Sequence, residues 1–173
     1  EIITVRIIII PWKFASIIST LIKHNKMDNA QEYMEQAKYD LNSITDAQYS
    51  RMVEVTREPL TILSDITDAV SYFFGDDVEV DEETKAKVLD GEVAKKVLPD
   101  FIAKAKEWDF TEENLHEKLE EFRGFYKEQG IKPKETMWAI RAAVTGRTRG
   151  ADMCATLCIL GKDKVIARCK KAL

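Results

Sequence analysis

Histidine is nearly absent from this chain of 173 residues. There are two, His24 and His116, and neither has a serine, cysteine or carboxylate at a spacing that suits general-base work or metal ligation. Cysteine is scarce as well. Three cysteines, an odd number, give no disulfide framework. Cys154 and Cys158 stand four apart on one helix face, with Cys169 beyond, and lack the further ligands that zinc needs. They read as small core residues of a reduced, cytoplasmic protein. There is no phosphate loop, no G-x-G-x-x-G after a strand and no nucleophile elbow, so no evident catalytic apparatus is present. No apolar run reaches the ~20 residues of a membrane span. The opening EIITVRIIII is apolar but short, and it lacks the basic start and cleavage site of a signal peptide. A buried strand, a helix remnant or the exposed end of a longer chain are all open for residues 1–10.

Four prolines and seven glycines are few for this length, and long stretches of Lys, Glu, Ala and Leu lie between them, which predicts an all-α protein. A hydrophobic fraction of 45% is enough for a core. Apolar spacing predicts helices over Trp12–His24, from Asp28 to Leu41, from Thr45 or Asp46 up to Pro59, and over Thr61–Phe74 with Gly75 as a stop. The acid-rich DDVEVDEE, 76–83, lacks the glycine and glutamate spacing of a calcium loop and reads as a solvated connection. It divides the chain into an N-terminal helical subdomain, 1–75, and a C-terminal one, 84–173, packed together. In the second, helices are expected over Glu82–Leu89 and Glu92–Trp108, with a break or kink at Pro99. Others are expected from Thr111 to Gly130, over Lys134–Thr145, over Asp152–Leu160 and over Asp163–Leu173. Ala142, Val144, Leu157, Leu160 and Val165 should be buried.

Charge is unevenly placed. Residues 137–173 hold Arg141, Arg147, Arg149, Lys162, Lys164, Arg168, Lys170 and Lys171 against Asp152 and Asp163, a formal charge of +6; the whole chain is −4, so 1–136 carry −10. A basic corner on an acidic protein points to a local anion-binding site, or to a solvated basic helix. Within it, Arg141, Arg147 and Arg149 surround Gly146 and Gly150. Glycine permits a sharp turn, and guanidinium groups suit phosphates and base edges. The pattern reads as a helix–turn–helix corner that meets nucleic acid. The aromatics Trp108, Phe110, Phe122, Phe125, Tyr126 and Trp138 could stack on bases, but their helical spacing favours core positions.

IRAAVTGRTRGADMCATLCILGKDKVIAR, from Ile140, resembles the C-terminal anticodon-binding domain of bacterial-type glutamyl-tRNA synthetases, which are class I enzymes. That family carries Arg-x-Ala-(Leu/Val)-(Thr/Ser)-Gly, then a Gly-Pro-x-Leu turn, then a helix ending in Leu-Gly-Lys. Arg141–Gly146, Gly150–Met153 and Leu160–Lys162 correspond, with Ala151 in place of the usual proline and Met153 in place of the leucine. Arg57–Phe74 is similar to the family's Arg-x-x-x-Leu helix, and WDFTEENLHEKLEEF to its Trp/Phe-Thr-x-Glu-x-Leu helix start. The resemblance covers about 45–173. It implies an all-α anticodon-binding helical bundle that contributes tRNA selectivity to ATP-dependent attachment of glutamate to its tRNA.

The resemblance also implies a monomer whose partner is glutamate tRNA, with glutamine tRNA open as a second one. ATP and Mg2+ serve the parent enzyme, a glutamate–tRNA ligase. The signatures His-Ile-Gly-His and Lys-Met-Ser-Lys are not in this chain, which is thus expected to bind tRNA without charging it, as a fragment or a stand-alone relative. The site residues implied are Arg57, facing the third anticodon base, with Arg141, Arg147, Arg149, Gly150, Ala151 and Met153. Arg141 has a second reading, as a structural anchor of the turn. If Arg147 and Arg149 bind phosphates, each should add about one unit to the salt slope of binding. The rival functions are a helical protein–protein adaptor with a basic docking face, and an enzyme with an acidic metal site at Asp76–Glu83.

Overall fold

The computed structural model describes residues 30–56 and 65–173. The opening segment, the helix expected over Trp12–His24, His24, Arg57 and Pro59 lie outside the described residues. The described residues form helices and turns, with no strand among them.

The helices begin and end where the local chemistry allows. Thr45 and Gln48 bracket α1 (Asp46–Thr56) reciprocally: the Gln48 amide donates to Thr45 Oγ1 at 3.2 Å and the Thr45 amide to Gln48 Oε1 at 2.9 Å. This capping box satisfies amides that a helix start otherwise leaves bare. A short α2 (Ile66–Val70) runs into a 3-10 turn, Ser71–Phe73. Asp81 caps α3 (Glu82–Thr84), accepting from the Thr84 amide at 2.8 Å. Thr111 caps α5 (Glu112–Glu128). At its far end the amides of Gly130 and Ile131 reach the carbonyls of Lys127 and Tyr126, each at 3.0 Å. Gly130 takes the positive φ that this closing motif needs. Pro133, at the first position of α6 (Pro133–Thr145), costs no hydrogen bond there. Asp152 caps α7 (Met153–Leu160) through the Ala155 amide at 2.9 Å, and α8 (Lys162–Lys171) follows Gly161.

Several expectations differ from what is observed. The helix expected from Asp28 to Leu41 ends at residue 36, and a separate 3-10 turn, Leu41–Ser43, follows. The one expected over Thr61–Phe74 is α-helical only to Val70 within its described part. Glu82–Leu89 is not one α-helix: after α3 the chain widens into a π turn, Lys85–Leu89, whose last side chain is buried. Pro99 does not break its helix. α4 (Glu92–Ala105) runs through it, because Val97, Leu98, Phe101 and Ile102 bury the face that the proline would otherwise release. Packing outweighs the lost backbone bond. The helix stops at Ala105, before Trp108, yet the Trp108 ring is buried edge-on to Phe101 and Phe122 with centroids 5.7 and 6.1 Å away.

α6 is central and packs against α4, α5 and α8, while α1 lies on α7. Met52, Ile66, Val70 and Phe73 share one apolar cluster with Phe101, Phe122, Leu157 and Val165, so side chains from both sides of 76–83 meet in it. Ala142, Val144, Leu157, Leu160 and Val165 are all buried. Of the aromatics, Phe122 and Tyr126 are core and Phe125 is exposed. In 76–80 the acids face solvent while Val78 and Val80 pack on the core. Arg51 ties α1 to α5 with a two-pronged bond to Glu112, Nε–Oε1 2.6 Å and Nη2–Oε2 2.5 Å.

The cysteines are free. Burial, with Asp152 nearby, pushes the Cys154 thiol up to about 11, and burial alone takes Cys169 to about 12. The thiolate is the reactive form, so a two-unit rise lowers its population roughly a hundredfold. Cys154 should therefore alkylate with iodoacetamide at pH 8 about a hundred times more slowly than free cysteine. Mass spectrometry of a time course checks this, and a free-cysteine rate would refute it.

Candidate nucleic-acid interface

α6 stops at Gly146, whose φ of +73° turns the chain out of the helix. Residues 147–151 then form a bend, exposed at Arg149 and Gly150, that leads to Asp152 and α7. Gly146 is required for a second reason. A Cβ there would lie 2.1 Å from the Glu79 carbonyl oxygen, because the strap 74–80 crosses over the end of α6.

The three arginines of this corner do different things. Arg141 is half-buried and donates from Nη1 to the Ala151 carbonyl at 2.8 Å, which closes the bend onto α6. Burial lowers its pKa, against the opposing pull of Tyr72 and Asp152; a guanidinium remains cationic regardless. Arg147 points across the bend to the preceding subregion. Its Nη2 donates to Asp68 Oδ1 at 2.8 Å, to the Asp68 carbonyl at 3.0 Å and to Ser71 Oγ at 3.3 Å. Its guanidinium lies 5.8 Å from the Tyr72 ring centroid. Arg149 is exposed and makes no ion pair or hydrogen bond among the described residues. Gly150, also exposed, has φ +151°, and a Cβ there would come within 3.4 Å of Arg141 Nη1. Ala151 and Met153 are 7% and 5% exposed, so the bend shows bases little of their apolar surface.

Between this bend and the segment 65–72 lies a cleft of about 550 Å3, floored by Ala69 and Tyr72 and walled by Arg147, Thr148, Arg149 and Gly150. It is not uniformly basic, since Asp65, Asp68 and Asp81 share its lining. Tyr72 is almost wholly buried, and burial raises its phenol pKa, opposed by the Thr156 hydroxyl and the charges of Arg141 and Arg147. A neighbouring cleft of about 730 Å3 is lined by Trp138 and Val88 with Glu83, Glu92 and Glu135. That one is larger and more acidic, with Asp81 and three glutamates against Lys87, whereas the arginine cleft sets two arginines against three aspartates and is the better candidate to face an anion. Trp138 itself is half-buried with Lys134 over its ring at 4.5 Å.

Sequence reasoning placed the arginines but missed Asp68, Tyr72 and Arg168. Lone acids and aromatics on a helix carry no sign of a partner so far along the chain. Arg168, one of the eight basic residues of the corner, is 2% exposed and belongs to the interior. Lys171 pairs with Asp77, and Lys162 donates to the Lys106 carbonyl at 3.1 Å. Of the basic residues counted in 137–173, Arg168 is thus interior, and Arg147 and Lys171 are each paired with an aspartate from outside that stretch. Among the described residues no group of three or more His, Cys, Asp or Glu could hold a metal ion, the acidic stretch included. No helix among them is long and apolar enough to cross a membrane.

The family described as the anticodon binding domain matches residues 25–173. Curated relatives include glutamate–tRNA ligase 2 of Syntrophus aciditrophicus, 30% identical over 147 residues, covering 85% of this chain and 30% of the relative. The glutamate–tRNA ligase of Bacillus subtilis is 33% identical over 121 residues, covering 69% of this chain and 24% of the relative. Among solved structures, a glutamate tRNA ligase of Elizabethkingia meningosepticum in complex with its amino acid shares the fold. Its TM-score is 0.72 at 19% identity, over 87% of this chain and 28% of that one. The chain therefore spans less than a third of the length of the relatives it matches. The adaptor alternative has no support in these comparisons.

Proposed function

The chain belongs to the anticodon binding domain family, in the form found in glutamate–tRNA ligases, and from that premise we propose that it binds the anticodon loop of glutamate tRNA. In this reading it supplies tRNA selectivity to an enzyme that attaches glutamate at the expense of ATP. ATP and Mg2+ would be held by other parts of that enzyme. The observation that carries the proposal is the exposed Arg149 beside the cleft that the bend 147–151 forms with 65–72. Loop bases are unpaired and can be splayed into such a cleft, where stacking and edge contacts distinguish them. Arg57 would read the third anticodon base, by correspondence with the family's arginine. Gly150 would let the RNA backbone come close, and Ala151 and Met153 would shape the bend from beneath.

Arg147 and Arg149 should differ in their salt dependence. A cation that meets a phosphate releases a salt ion, which gives a slope of roughly 0.7–0.9 per contact. Arg149 has no partner among the described residues, so Arg149→Ala should weaken all anticodon stem-loops alike and lower the slope by about that amount. Arg147 already holds Asp68. The carboxylate it exchanges is part of the protein, so Arg147→Ala should lower the slope by clearly less. Arg57→Gln should instead change the ratio between stem-loops that differ at the third base, by about 1–3 kcal/mol if base readout here resembles that on DNA. Titration of glutamate and glutamine stem-loops across salt concentrations measures all three effects. Binding that neither turn arginine affects at any salt would remove this corner from the RNA face.

A further inference from the structure

Arg168 projects from α8 into the interior and does not line the arginine cleft. Its Nη1 alone bridges two segments, donating to the Tyr72 carbonyl at 2.8 Å and to the Val144 carbonyl at 2.7 Å. Nη2 reaches the Gly75 carbonyl at 3.0 Å and Nε the Asp76 carbonyl at 3.2 Å. Tyr72 lies on the floor of the cleft, and Val144 lies in the last turn of α6, just before the bend that carries Arg147 and Arg149. Gly75 and Asp76 begin the strap that crosses Gly146. One buried side chain therefore joins the floor of the cleft to the helix that carries its arginine wall. Arginine suits the task because its donors are fixed in a planar fork, whereas the lysine ammonium is a single point on a flexible stem.

We propose that Arg168 is a positioning residue for RNA recognition: by clamping Tyr72 to the end of α6 it places Arg147 against Asp68 and Tyr72 and so shapes the cleft. This rests on the anticodon reading above. Arg168 is buried and does not line the cleft, so it cannot meet RNA itself and its contribution passes through Arg147.

The test is a double-mutant cycle in the 173-residue chain, with Arg168→Met, Arg147→Ala and the pair, read by binding of an anticodon stem-loop and by the NMR signals of the Arg147 guanidinium and the Tyr72 ring. Arg168→Met, confirmed folded by circular dichroism and a cooperative urea transition, should weaken binding on the order of tenfold and lower the salt slope by no more than Arg147→Ala does. Arg147→Ala should then have little further effect. The Arg147 and Tyr72 signals should shift in the absence of RNA. If the methionine variant does not fold, Arg168→Lys carries the same comparison, with smaller changes in the same direction. Independent, multiplying effects of the two substitutions would overturn the proposal, as would unmoved Arg147 and Tyr72 signals in a folded variant. A wild-type chain that binds no stem-loop at any salt would overturn the RNA reading; shifted signals would then still show that Arg168 places Arg147.

Discussion

Gly146→Ala should destabilise the protein more than any other exchange of glycine for alanine among the described residues. Two costs add. An L-residue at φ +73° sits in the left-handed region, at about 1–2 kcal/mol. The new methyl group would also stand 2.1 Å from the Glu79 carbonyl oxygen and 3.1 Å from its carbon. That neighbour is backbone, and the strap it belongs to is tied down through the carbonyls of Gly75 and Asp76 by Arg168. Forcing the two apart should cost a further 1–3 kcal/mol or so, as in other overpacked sites. Gly130→Ala is the matched control. It has φ +82° but nothing within 4 Å of the added methyl, so it should show the first cost alone. Urea titrations of the two variants at unchanged m compare them directly. Equal losses would mean that the strap does not press on Gly146.

Leu157→Ala should cost about 2–5 kcal/mol. Leu157 is fully buried on α7, which packs against α1, α5 and α8. Removing its side chain leaves a hole that three neighbouring helices cannot all close. The bend and its Asp152 cap lie at the N-terminal end of α7, more than a turn before Leu157, so molecules that remain folded should keep their affinity for the stem-loop. A denaturation midpoint indistinguishable from wild type would place Leu157 outside the core.

Much of the architecture was legible in the sequence because its determinants are local. Thr45, Thr111, Pro133, Asp152 and Gly161 each act within a few residues of themselves, and helices start or stop at each of them. The periodic apolar residues of α6, α7 and α8 likewise announced which faces are buried. What was not legible is pairwise and distant. Pro99 stays in a helix because of neighbours on other elements. Arg147 looks free until Asp68 is brought beside it. Arg168 has the composition and position of a solvated C-terminal arginine, and only the fold shows four carbonyls converging on it. Arg141 was open between two roles, and its bond to Ala151 across the bend could not be read from the sequence. Formal charge counts residues and cannot see which of them the molecule uses internally.

The contact between Glu79 and Gly146 also bears on the order in which the molecule assembles. α6 and α7 can wind within their own stretches of chain, on the fast timescale of local structure. The strap reaches Gly146 only by closing a loop of roughly seventy residues, whose entropy must be overcome before the contact gives anything back. Helices that form early thus wait on a late arrival, and the bend bearing Arg147 and Arg149 takes its final shape with that arrival.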